Sequence, residues 1–327
     1  MPAKWSLRSA AAVVILAVAG CADTPTEPYC PDPPTRAEAI PAGAVKFTPA
    51  TDLHPPVLHS AEWADPVPLP GPVNTAGVED APVVSRDGQT LYFFWTPDAS
   101  VPAEEQVLDC VTGVWWCVRE GSGWSDPVRA WLSESYALDG PLSEQGGTLW
   151  FASFRAGTYG DGDIYRGTRT GSSWTWDNAG EELNADYDVG ELYLTASGDT
   201  MVFAREASYG VQGGYDLWES HREGDGWSSP ENLGAVVNGS TDDGWPYLSP
   251  DGSELWFTSF ESGEGHPGPA IYRTQRSPEG WGEPEEIVSS YVGDPAMDPD
   301  GNLYFSHHYV DGAGEIIETD IYVCYRR

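Results

Sequence analysis

Basic side chains are scarce in this sequence: 16 Lys and Arg stand against 51 Asp and Glu in 327 residues, a formal net charge of −35. A surface this acidic repels phosphate backbones and anionic headgroups, which excludes nucleic acid as a partner, and it draws in divalent cations. Long apolar runs are also lacking. The run from Ala10 to Ala19 is too short to cross a bilayer as a helix, and no other segment could. Gly-x-Ser-x-Gly, a Walker loop and His-Glu-x-x-His are all missing, so the common signatures of serine hydrolases, nucleotide hydrolases and zinc peptidases do not apply. Cysteine is limited to five residues, at spacings that do not read as zinc.

The short apolar run has its own meaning. Lys4 and Arg8 precede it and Val18-Ala19-Gly20-Cys21 ends it. Residues 1–20 read as a signal peptide, and the ending resembles the lipobox of bacterial lipoproteins. That resemblance implies a lipid on Cys21, a stable membrane anchor and an envelope location on the periplasmic or surface side. Residues 21–45, with Pro25, Pro28, Pro31, Pro33, Pro34 and Pro41, read as an extended tether. Export permits disulfides. Cys30, Cys110, Cys117 and Cys324 allow three pairings; the expected one is Cys110–Cys117 within a hairpin and Cys30–Cys324 between tether and C-terminus.

Residues 46–327 repeat one grammar roughly every 50 residues. An acid precedes a short apolar stretch; a turn, usually Asp-Gly, leads to an aromatic-rich strand; a Gly-rich loop follows, then Asp-Ile-Tyr or a relative, then Trp-x-x-Pro. The second strands end at Phe93, Phe151, Phe203, Phe257 and Phe305. The third are marked by Val114-Trp115-Trp116, Asp163-Ile164-Tyr165, Asp216-Leu217-Trp218, Ala270-Ile271-Tyr272 and Asp320-Ile321-Tyr322. Asp-Gly between apolar runs signals a hairpin, and Pro in the fourth element suits an outer strand. Four short strands per repeat that cannot bury their faces alone predict an all-β, five-bladed β-propeller with four antiparallel strands per blade. The last repeat lacks its fourth strand, while an unmatched Trp63-Ala64-Asp65-Pro66 stands before the first. An N-terminal outer strand therefore closes the ring and removes a free sheet edge.

The Ser249-Pro250-Asp251-Gly252 turn, the Asp-Ile-Tyr triplets and the Trp-x-x-Pro starts resemble the WD40-like PD40 repeats of TolB-like β-propellers. The resemblance spans roughly residues 60–327 and implies a propeller and export. It implies little about chemistry, because a fold does not set function.

Acids recur where each first strand begins: Glu79 and Asp80, Asp139, Asp188 and Glu191, Asp242 and Asp243, and Asp294. Two readings fit. Each acid accepts backbone N–H bonds between blades, or Asp80, Asp139, Glu191, Asp243 and Asp294 form a ring at one mouth that takes a cation, with Ca2+ the candidate cofactor. Arg155, Tyr159, Arg205, Tyr209, His307 and Tyr309 lie on loops of the same face and suit a glycan or peptide. Asp80, Asp139 and Glu191 also resemble the three carboxylates of arabinanase-type glycoside hydrolases, which makes them the catalytic candidates if the chain is a hydrolase. Asn184-x-Asp186-x-Asp188 hints at a calcium loop but lacks the following Gly. His307 and His308 are adjacent, so along a strand they point to opposite faces and do not share a metal. The leading expectation is a binding or scaffold module for an envelope protein or glycan. The alternatives are a glycan-active hydrolase and a purely structural envelope component.

Overall fold

The Asp-Gly signals fold as tight turns. Asp87 Oδ1 accepts from Ser85 Oγ at 2.7 Å and from Gln89 N at 2.9 Å, and Gly88 turns through φ +69°, a region few L side chains adopt. Ser249, Asp251 and Gly252 repeat the construction. The structure, a computed structural model, describes residues 30 and 32–327 apart from 135, 156–158, 160, 161, 185–188, 196, 207–211, 225 and 261–264. The signal segment 1–20 and Cys21 lie outside the described residues. Among the described residues no helix is long and apolar enough to cross a membrane.

Antiparallel strands follow one another in sequence order. The first sheet is Val78–Val84, Thr90–Thr96, Gly113–Glu120 and Val128–Arg129. The second is Leu138–Gln145, Thr148–Phe154, Asp163–Thr170 and Ser173–Asn178. The third is Val189–Leu194, Thr200–Glu206, Tyr215–Glu223 and Glu231–Asn232. The fourth is Asp243–Leu248, Glu254–Ser259, Ala270–Ser277 and Glu285–Ser289, edged further by Val57–Leu58. The fifth set, joined to the first by a parallel bridge between Thr319 and Val78, is Val292–Met297, Leu303–Val310, Ile316–Cys324 and, from the N-terminal side, Val67–Pro68. Pro127 shows why Trp-x-x-Pro marks the outer position. Gly123–Trp124 pairs with the end of the third strand, Pro127 interrupts, and Val128–Arg129 resumes.

The architecture is all-β and propeller-like. First strands touch in a cycle, each meeting the next and Val292–Met297 meeting Val78–Val84. Apolar clusters fill the gaps between sheets. One joins Phe93 and Trp115 of the first sheet to Tyr304 and Ile321 of the fifth. The others join fifth to fourth, first to second, second to third and third to fourth. Alternation along each strand sends aromatic residues to both faces, which is what sheets stacked on both sides require. At the seam, Val67 pairs with Val323, Ala64 N donates to Tyr325 O at 2.8 Å and Leu69 N to Ile321 O at 2.9 Å. Trp63 is fully buried, meets Trp256 edge-on at 5.5 Å, and donates Nε1–H to Gly301 O at 2.8 Å. Its indole lies between the guanidinium groups of Arg273 and Arg326.

The segment read as an extended tether is instead docked over its described part and carries a short helix, Arg36–Ala39, capped by Thr35. Arg36 is buried, ion-pairs with Glu79, donates to Pro72 O and Val73 O, and stands over Trp95 at 4.9 Å. Further on, Lys46 pairs with Glu318 and Asp320, and Asp52 Oδ2 meets His307 Nε2 at 2.9 Å. This strap thus crosses the first, fifth and fourth sheets before Trp63. The cysteines pair differently from expectation: Cys30 bonds Cys110, with Cα atoms 5.9 Å apart, and Cys117 and Cys324 are free and buried. The expected Cys110–Cys117 and Cys30–Cys324 bridges fail because Cys117 faces the core between the first and fifth sheets and Cys324 the core between the fourth and fifth. Cys110 sits in a loop that the strap reaches.

Candidate functional site

Each first strand carries a register irregularity near its middle: between Asp80 and Val83, Pro141 and Ser143, Val189 and Leu192, Gly244 and Tyr247, and Gly293 and Ala296. A bulge re-aims the side chain it carries. Within these spans Ala81, Trp245 and Asp294 have φ of +49°, +48° and +57°, a strained conformation for residues other than glycine.

The register separates the acids that spacing alone had grouped into one ring. Glu79, Asp139 and Asp243 share a rung, opposite Trp95, Ser153 and Ser259. All three are buried and structural. Glu79 holds Arg36 and Thr75; Asp139 accepts from Ser153 Oγ at 2.6 Å and Arg155 Nη2 at 2.8 Å; Asp243 accepts from Gly239 N at 2.6 Å. Asp139 and Asp243 therefore leave the expected cation ring, because their oxygens tie loops to strands. Asp80 lies one position further along, and Glu191 and Asp294 lie in the bulges.

The remaining acids converge. Ligating atoms of Asp80, Asp294 and His308 lie within 4.8 Å of one another. Burial pushes the Asp294 carboxyl well above its ordinary range, and the charges of Asp80 and Glu191 push the same way. Ser306 Oγ donates to Asp294 and accepts Ala81 N–H at 3.1 Å. Glu191 is raised to about 8 by burial, against the Trp245 N–H that it accepts and with the charge of Asp242 adding to the rise. Its Oε2 is buried without a hydrogen-bond partner. Burial lowers the His308 pKa, so its imidazole stays neutral. A small pocket of about 40 Å³, open to solvent, is lined by Glu191, Asp294 and Trp245 and by Pro82, Pro141, Pro246 and Pro295. Such a pocket combines apolar lining residues with a few protonatable oxygens.

The loop residues fare variously. Arg155 is committed to Asp139 and lies 4.2 Å from the Tyr165 ring centroid. Tyr159 is exposed, and its backbone N–H ties to Asp163. The Arg205 guanidinium stands over Trp218. Tyr209 and the Asp186 and Asp188 of the calcium-loop motif lie outside the described residues. Asn184 accepts Ile164 N–H at 2.8 Å. His307 and Tyr309 are buried beneath the strap, His307 on Asp52 and Tyr309 on the Tyr322 hydroxyl at 2.8 Å, so neither is available to a ligand. Sequence reasoning missed Trp245, and it named His308 only as a residue that shares no metal with His307. The two-residue period along Leu303–Val310 does send His307 to the strap and His308 toward the acids, but which of the two faces inward emerges only from the register.

No protein-family model matches the sequence, and no curated protein matches it. Solved structures are similar. A thermostable family-43 glycoside hydrolase shares 11% identity at a TM-score of 0.48, over 79% of this chain and 92% of that one. A family-43 glycoside hydrolase engineered to display endo-xylanase and exo-arabinofuranosidase activity shares 15% at 0.41, over 75% of this chain and 49% of that one. Prolyl oligopeptidase B from Galerina marginata shares 14% at 0.36, over 71% of this chain and 29% of that one. Likenesses this weak carry no argument about this chain.

Proposed function

We propose that the chain is a five-bladed propeller, closed by its N-terminal outer strand, held at a bacterial envelope membrane through lipid on Cys21, and that its central pocket binds a glycan. The observation that carries this reading is the pocket itself. Trp245 and four prolines line it with apolar surface, and Glu191 and Asp294 offer hydrogen-bonding oxygens withdrawn from water, a combination that suits a sugar hydroxyl entering from solvent. A glycan array probed with the detergent-solubilised full chain tests it. Binding is expected, and Trp245→Ala is expected to weaken it at least tenfold; an array without hits, or equal binding by the variant, rejects the reading. Radiolabelled fatty acid incorporated by the wild type and not by Cys21→Ala tests the anchor.

One observation favours hydrolysis as a second reading. Glu191, protonated near neutral pH, meets the requirement for a general acid that protonates a glycosidic oxygen, with Asp80 as the partner carboxylate. The third catalytic candidate, Asp139, is engaged by Arg155 and takes no part. New reducing ends released by the wild type and not by Glu191→Gln support hydrolysis; binding without turnover leaves the module a binder.

A further inference from the structure

We propose that Asp80, Asp294 and His308 form a binding site for one transition-metal dication of the zinc or manganese type, where the first strands of the first and fifth sheets meet. This does not depend on the glycan reading, because the ion itself is the ligand measured.

Three observations carry it. The first is donor spacing. Zinc bonds of about 2.0–2.2 Å place tetrahedral donors roughly 3.3–3.6 Å apart. The three ligating atoms already lie within 4.8 Å, so small side-chain rotations close the site.

The second is the supporting shell. His308 is 3% exposed, and its Nδ1 meets Thr319 Oγ1 at 3.0 Å. With Nδ1–H donating to Thr319, Nε2 keeps its lone pair for a metal, the arrangement that orients most metal-binding histidines. Asp294 is held by Ser306, and its backbone N–H donates to Thr258 Oγ1 at 3.0 Å.

The third is incomplete satisfaction. Asp80 Oδ1 is buried with no hydrogen-bond partner. A dication takes up the unpartnered oxygen.

The donor set also selects the ion. One imidazole with two carboxylates suits zinc or manganese. Calcium asks for six to eight oxygens, and Asp139 and Asp243, which would have supplied more, are turned away and hydrogen-bonded. Three protein donors leave a coordination position for water or a ligand hydroxyl.

The test is equilibrium dialysis of the full chain in detergent, stripped with chelator, against buffered Zn2+, Mn2+ or Ca2+, with bound metal counted by mass spectrometry. One Zn2+ or Mn2+ per chain is expected. Asp294→Asn and His308→Gln should each weaken that binding at least a hundredfold, and Thr319→Val, which touches no metal, by 10–100-fold. If His308→Gln fails to fold, the partly exposed Asp80→Asn takes its place. The proposal is overturned if neither ion binds, if binding persists undiminished in the folded variants as adventitious capture by the acidic surface, or if Ca2+ binds more tightly than both.

Discussion

Replacing Glu191 by Gln removes a titrating group while keeping its shape, so it isolates the electrostatics of the pocket. The Glu191 carboxyl rises from 4.5 to about 8 in the folded chain, chiefly because burial disfavours its charged form. A raised folded pKa means that the native state holds the proton more tightly than the unfolded state. The associated stability is fully present below pH 4.5 and is lost as pH climbs toward 8. At about 1.4 kcal/mol per pKa unit the span amounts to about 5 kcal/mol at most. Urea unfolding in chelator at pH 5 and pH 8 measures it. The wild type should lose several kcal/mol between the two, and Glu191→Gln should lose less. Asp294 carries the same sign and stays in the variant, so the slope shrinks rather than vanishing. Parallel pH profiles for the two proteins would refute the assignment of Glu191 as a withdrawn, protonated acid.

Three other outcomes follow from the geometry. Arg36→Ala strands Glu79 in the interior and should cost about 3–5 kcal/mol, with Glu79→Gln in the same chain restoring part of it; urea midpoints decide. Cys30→Ser opens the Cys30–Cys110 bridge and should cost about 2–4 kcal/mol, whereas maleimide should leave Cys117 and Cys324 unlabelled in the native protein, both being buried with thiols raised to about 12. Asp52→Asn weakens the contact of the strap with His307 and should hasten limited proteolysis between residues 45 and 60, read by mass spectrometry of the fragments, with no change in the remaining digest.

Repeat grammar made the sheets legible because each signal reflects a local requirement. Asp87-Gly88 turns by itself, Pro127 tolerates only an edge, and Trp63-Ala64-Asp65-Pro66 lacked a partner until Tyr325 and Arg326, just past the end of the last strand, supplied one. The site was half legible. Acids at every first strand pointed to the right strands, but a side chain facing the channel differs from one tying a loop by a single residue of register. Asp139 and Asp294 look alike in the sequence and part company at the bulge. The cysteine pairing was illegible because it depends on the path of the strap, which is set by long-range contacts such as Arg36 with Glu79. His307 and Tyr309 resembled exposed loop residues for the same reason: the chain that covers them lies some 250 positions away.

The Cys30–Cys110 bond also sets a load path. Tension arriving from upstream of residue 30 reaches the first sheet through a covalent link before it strains the few hydrogen bonds that join Val67–Pro68 to Ile316–Cys324. The short pairing of Val67–Pro68 is thereby mechanically bypassed. A pulling experiment should then find the oxidised chain unfolding at higher force than the reduced one, even though the two share the same strands.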